Sequence, residues 1–220
     1  MMPWWVAGLD VAVAIVSVAI WYCWFLRANR KRAIAILQWI CTAAAGQGRV
    51  ARVVWLSSSR FLITLQFRSH CFHDARVTVR LAPREMPIEW LLSRWRKQRE
   101  TLTFDADLDC PPGFNLEVRN YRWKRRPEQP ALPDPSRLVL VRTGPIVLTT
   151  RGDWQHDLTN MMNGLLSSRD CDFETVQFRR TSPHFSATMP LQSLELQPDC
   201  PSHLFDTLRE LATGASAAMF

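Results

Sequence analysis

The chain has 220 residues, 47% of them hydrophobic, and a net charge of +7 from 24 Arg and 3 Lys against 20 acidic residues. That apolar content excludes an intrinsically disordered chain. The six cysteines (Cys23, Cys41, Cys71, Cys110, Cys171, Cys200) are dispersed without a C-x-x-C pair, so neither a disulfide framework nor a zinc ribbon is encoded.

From Trp4 to Leu26 the chain runs for 23 residues with one charge, Asp10. As a helix this segment spans roughly 34 Å, enough to cross a hydrocarbon core of about 30 Å. Trp4 and Trp5 at one end, and Trp21, Tyr22 and Trp24 at the other, suit the two interfaces. A cleaved signal peptide fits less well, because the basic residues follow the apolar run and the run is too long. Arg27, Arg30, Lys31 and Arg32 follow at once, while no Lys or Arg precedes, so the expected topology is N-terminus outside and C-terminal region cytoplasmic. The location implied is the cell membrane, crossed once. Within the span, Asp10, Ala14, Ser17 and Trp21 share one helical face, with Gly8 and Ala12 opposite. That pattern reads either as a pairing surface for another helix or as an aspartate reaching the outer interface.

Residues 27–48 continue the helical pattern, with Ala33, Ile34, Leu37, Ile40, Cys41 and Ala44 as the apolar face and Gly46-Gln47-Gly48 as the stop. The helix therefore continues out of the span or restarts after a short break. Strands are predicted at 50–56, 61–67 and 76–81, with Ser57-Ser58-Ser59 as a turn. A helix begins at Pro87 and carries Ile88, Leu91, Leu92 and Trp95 on one face. Strands at 101–108 and 114–123 complete a first α+β half, residues 49–126. Four prolines within 127–135 mark residues 127–136 as an extended linker.

The second half, 137–214, repeats the order. Strands fit 137–142 and 146–150, and Asp153 caps a helix buried through Trp154, Leu158, Met161, Met162 and Leu165. Strands at 173–179 and 185–189 follow. A last helix from Pro201 presents Leu204, Phe205, Leu208, Leu211 and Ala212 before Gly214, leaving 215–220 as a loose tail. Leu91-Leu92-Ser93 precedes Leu165-Leu166-Ser167 by 74 positions, and Glu100-Thr101 precedes Glu174-Thr175 by the same offset. These matches raise a β-β-α-β-β duplication, against the alternative of coincidence in cheap local patterns. The fold class expected is α+β: an N-terminal helical anchor, then antiparallel sheet with packed helices.

Chemical motifs are sparse. His70-Cys71-Phe72-His73-Asp74 gathers metal-ligating types in a predicted turn, but lacks a second ligand pair. Asp105, Asp107 and Asp109 alternate along a strand, which suits either a cation or, more simply, a solvated face that discourages edge pairing. Gly46-Gln47-Gly48-Arg49-Val50-Ala51 matches a dinucleotide fingerprint only on paper, since a helix precedes it and a strand follows. No cofactor motif and no metal motif is present. Arg94, Arg96, Lys97 and Arg99 crowd the end of the Pro87 helix. Arg119, Arg122, Lys124, Arg125 and Arg126 interleave with Tyr121 and Trp123, a pattern that suits anionic headgroups better than nucleic acid in a tethered domain, and a plain solvated basic edge better than either. These residues imply membrane lipid and a protein partner. The reading is a non-catalytic binding or scaffold protein at the membrane surface, with a tethered hydrolase or metal-dependent enzyme, and a tethered nucleic-acid binder, as alternatives.

Overall fold

The computed structural model describes residues 4–68, 71–83, 87–96, 98–113, 115–120, 138–143, 146–151, 173–192 and 202–217. In chain order the elements are α1 (Trp4–Ala44), β1 (Gly48–Ser57), β2 (Arg60–Phe67), β3 (Phe72–Arg80), α2 (Pro87–Trp95), β4 (Thr101–Leu108), β5 (Leu116–Asn120), β6 (Leu138–Thr143), β7 (Ile146–Arg151), β8 (Thr175–Phe178), β9 (Phe185–Pro190) and α3 (Ser202–Ala217). The class is α+β. All strands pair antiparallel in one sheet, ordered β1-β2-β3-β4-β9-β8-β5-β7-β6. Strands from both sides of residues 127–136 meet in it, since β4 pairs with β9 and β5 with β7 and β8. The helix expected after Asp153, and with it the test of the duplication, lies outside the described residues.

Alternation along the strands gives the sheet one apolar face. Phe61, Ile63 and Leu65 of β2, Val77 and Val79 of β3, Leu102, Phe104 and Ala106 of β4, and Phe185, Ala187 and Met189 of β9 are buried on it. Helices α1 and α3 cover that face. From α3 come Leu204, Phe205, Leu208, Leu211 and Ala212, and Phe205 meets the rings of Phe67 and Phe104 at 5.4 and 6.0 Å. α3 runs through Gly214 to Ala217, past its predicted stop, since a lone glycine costs an alanine-rich turn only about 1 kcal/mol.

α1 is one unbroken helix of 41 residues with two different environments. Among the described residues one helix is thus long and apolar enough to cross a membrane, and none of its most apolar 18-residue window is buried in the fold. Its later part is core: Ala33, Ile36, Ile40, Ala43 and Ala44 are buried against the sheet. The buried stripe centres on Ile40, so Ile34 and Cys41, predicted to face the core, lie roughly 100–120° away and are exposed. The helix ends where expected. Gly46 takes φ +96°, which a side chain resists, and Gly48 sits so close to β2 that a Cβ would meet the Gln66 carbonyl at 2.5 Å.

β3 begins earlier than the sequence pattern indicates. His73 and Asp74, read as a turn, belong to the strand, because a register shift between His73 and Arg76 and a φ of 45° at Asp74 absorb the irregular residues as a bulge. β4 is interior, flanked by β3 and β9, so its aspartates protect no edge.

The core role of α1 yields a truncation test. Burial of Ile36 and Ile40 alone contributes about 3–6 kcal/mol, comparable to the whole stability of many domains. A chain beginning at Arg27 should melt cooperatively, and one beginning at Gly46 should not. Circular dichroism melts of the two would check this, and a cooperative transition in the shorter chain would refute the assignment.

Candidate functional site

The molecule has two ends along the α1 axis. From Asn29 to Ala44 the helix rises about 22 Å, and β1 returns about 23 Å from Gly48 to Trp55. The β1–β2 tip therefore lies level with Asn29, where the exposed apolar part of α1 leaves the sheet. Direct contacts define this near end. Leu81 N–H donates to Ser59 O (2.7 Å), and Asn29 Nδ2 reaches Ala82 O at 3.5 Å. The Glu100 carboxylate accepts Ala82 N–H (3.3 Å) and pairs with Arg32 Nε at 2.9 Å, while Leu191 N–H donates to Glu100 O. Asn29 and Glu100 are buried polar groups, so these bonds offset a desolvation cost.

α2 sits at the near end, entered after Leu81–Pro83 and left before Glu100. Its orientation is inverted. Trp90 lies edge-on to Trp21 of α1, ring centroids 5.9 Å apart, and Arg94 stacks over the Trp90 ring at 5.7 Å. Ser93 is buried at 6% exposure and donates to Trp90 O at 2.8 Å. The apolar stripe points away from the protein, with Ile88 74%, Leu91 62%, Leu92 40% and Trp95 81% exposed. Arg94 and Arg96 are exposed on α2 and its end, as are Arg99, Arg27, Arg30 and Lys31 nearby. Of the predicted surface cations, Lys97, Arg122, Lys124, Arg125 and Arg126 lie outside the described residues. Arg119 turns to Glu117 of its own strand at 2.7 Å.

The predicted pairing residues lie on exposed α1. Gly8, Asp10, Ala12 and Ser17 are exposed, and Ser17 Oγ donates to Val13 O of its own helix at 2.8 Å. Nothing approaches the Gly8 Cβ position within 4 Å. Trp21, on the Asp10 face, is the member that meets another element, α2.

At the far end the candidate metal residues serve local structure. His73 Nε2 lies 3.1 Å from Asp109 Oδ1 on an exposed surface, and His70 lies outside the described residues. Asp107 accepts from Ser182 Oγ (2.9 Å) and His184 N–H (3.2 Å), and His184 Nδ1 accepts Leu108 N–H (3.3 Å). Asp107 receives Ser182 Oγ and the backbone N–H of His184, and the imidazole Nδ1 already accepts from Leu108, so the grouping holds the β8–β9 turn and lacks the serine-to-histidine hydrogen bond of a catalytic triad. Asp105 faces Arg76 and Ser186 in register. Among the described residues no three His, Cys, Asp or Glu side chains converge as metal ligands. Sequence reasoning missed the Ser182–Asp107–His184 contacts, which join positions more than 70 residues apart through the β4–β9 pairing.

The other sheet face is polar and, among the described residues, open. One cross-strand row reads Arg52, Thr64, Arg76, Asp105, Ser186, Gln177 and Glu117, and the next carries Thr78, Thr103, Thr188 and Thr175. Its side chains are half-buried or exposed, and neighbours bond laterally, as in Thr103 Oγ1 to Thr188 Oγ1 at 3.2 Å and Gln177 Nε2 to Glu117 Oε1 at 2.8 Å.

No known protein family matches the chain, and no curated protein matches it significantly in sequence.

The near-end ion pair carries a testable weight. Arg32→Leu leaves a buried carboxylate short of its cation and is expected to cost about 1–3 kcal/mol, kept modest because Arg32 retains some water contact. Arg32→Leu combined with Glu100→Leu should cost less than the sum of the two single changes. Additive losses in denaturation of the detergent-solubilised chain would contradict that coupling.

Cys71 provides a second test. Burial against the core pushes its thiol up, opposed by Arg209 and reinforced by Asp109. Less thiolate is present at neutral pH, so alkylation of Cys71 should keep rising with pH after an ordinary exposed thiol, near about 8.5, has levelled off. Peptide-resolved iodoacetamide rates would show this against exposed Cys110. A Cys71 profile that levels off first would overturn it.

Proposed function

We propose that this is a single-pass membrane protein whose α+β region works as a non-catalytic binding or scaffold module at the membrane surface. The N-terminus lies outside and the folded region is cytoplasmic. The observation that carries this reading is α1 itself: one unbroken helix whose most apolar 18-residue window has no buried residue and whose later part is core. A soluble protein has no use for so long an unburied apolar rod. The arginines and lysine from Arg27 to Arg32 support the orientation through the positive-inside bias.

The open polar sheet face supports the binding role. Seven strands offer a broad surface of threonine, serine, glutamine and arginine side chains while their apolar side is filled by α1 and α3. A protein partner meets such a surface through hydrogen bonds and charge complementarity. Among the described residues, His73, His184, Asp107 and Asp109 are bonded to one another and to the β8–β9 turn, which favours binding over chemistry.

Two measurements test the proposal. An impermeant maleimide applied to intact cells should leave Cys110 unmodified and label it after lysis; labelling without lysis would reverse the topology. Purification in mild detergent should recover a partner with the parent chain. Arg76→Glu with Thr78→Arg, on the open face, should weaken that recovery by about tenfold or more without lowering the membrane-bound amount. Identical recovery with parent and variant would remove the open face as the binding surface.

A further inference from the structure

An amphipathic helix of a soluble protein turns its apolar stripe to the core and its polar side to water. α2 does the reverse: Ser93 is buried while Ile88, Leu91, Leu92 and Trp95, at i, i+3, i+4 and i+7, face outward. A second exposed apolar group, Trp55 and Leu56, stands at the β1–β2 tip, 47% and 57% exposed. Among the residues whose side-chain exposure is described, which leaves out β6 and β7, every exposed large hydrophobic side chain outside α1 belongs to one of these two elements. Both lie at the near end. The tip is tied there through Ser59 and Leu81, and α2 through the Trp90–Trp21 contact.

We propose that the near end is seated in the lipid bilayer interface. α2 lies along the bilayer surface with its apolar stripe in the acyl boundary, and the β1–β2 tip inserts Trp55 and Leu56 beside it. This rests on the reading of α1 as the membrane anchor. The occupant is lipid and not protein for three reasons. Trp21, against which Trp90 packs, belongs to the last turns of the apolar run, so the α2 stripe continues a surface that the anchor already gives to hydrocarbon. Two separate elements, α2 and the β1–β2 tip, present apolar side chains at the same end of the molecule, a spread that a bilayer surface can receive together. Cations flank both tips, with Arg94 held over Trp90, Arg96 after α2, and Arg60 exposed at the hairpin, where lipid phosphates would lie. Tryptophan suits this depth, since its ring is apolar and its N–H polar. With two insertion points and one crossing helix, the domain has a fixed tilt on the membrane.

The test uses the full chain in nanodiscs of phosphatidylcholine and phosphatidylglycerol carrying a radiolabelled tracer phospholipid. p-Benzoylphenylalanine replaces Leu91, Leu56, Ile15 or Arg68 in separate preparations. All four side chains are exposed, so the replacements leave the core intact. Irradiation should give lipid adducts from Leu91 and Leu56 as well as from Ile15 in the apolar part of α1, and none from Arg68 at the far end. An adduct at Ile15 with none at Leu91 or Leu56 overturns the insertion surface and leaves the anchor standing. Absence of an adduct at Ile15 overturns the anchor reading on which the proposal rests. A protein adduct in place of lipid at Leu91 assigns the stripe to a partner and also overturns it.

Discussion

The arrangement depends on one helix being held in two environments without a break. A helix satisfies its own backbone hydrogen bonds, so nothing in the main chain of α1 has to change where the apolar run ends and the sheet begins. Only the side chains change. Before Leu26 they are apolar nearly all round, with Asp10 and Ser17 the exceptions on one face, and after Arg27 an apolar stripe faces the sheet while Arg30, Lys31 and Gln38 face outward. Because the same rod is both, the sheet cannot swing about a flexible linker. Its direction is set by the stripe centred on Ile40, and its position along the rod by the contacts of Asn29 and Arg32 with the Ala82–Glu100 region.

That fixed register sorts the rest of the surface. β1 runs back along α1, so the hairpin tip, the end of β3, α2 and the start of β4 collect around the exit of the apolar run. Exposed tryptophan, leucine and arginine gather there. The far end gathers polar loops and the bonds of Asp107, Asp109, His73 and His184. The open face is left between the two and, in the proposed arrangement, meets a partner. Charge contributes through geometry more than through total: the net of +7 matters where arginines flank apolar tips, and much less where Arg119 turns to Glu117.

Local signals in the sequence were readable in proportion to how local their causes are. The β2 and β4 alternation, the Gly46–Gly48 stop and the α3 stripe depend on neighbours a few residues away, and each was legible. The helical face of 27–48 was only roughly so, because Ile34, Ile36, Ile40 and Cys41 form an apolar band wider than the sheet needs. Packing then chose Ile36 and left Ile34 outside. Strand order was not legible. β4 beside β9 joins residues 79 to 89 positions apart, and nothing in either strand's pattern names its neighbour. The roles of the aspartates went with it. Asp107 reads as one of a solvated stripe until β9 brings Ser182 and His184 to it.

α2 marks the limit most clearly. Periodicity measures how strongly a helix separates apolar from polar side chains, and says nothing about which medium receives the apolar side. Water is excluded equally well by a protein core and by a bilayer. What separates the two is the company a stripe keeps. A core-facing stripe has small or polar residues on its outer face and long cations reaching away from it. In α2 the buried positions are Ser93 and half-buried Trp90, and the arginines lie at the margin of the stripe, with Arg94 folded back over an aromatic ring. Cations at the margin suit an interface where apolar and anionic groups meet within a few ångströms, as they would if α2 lay in a lipid headgroup layer as proposed.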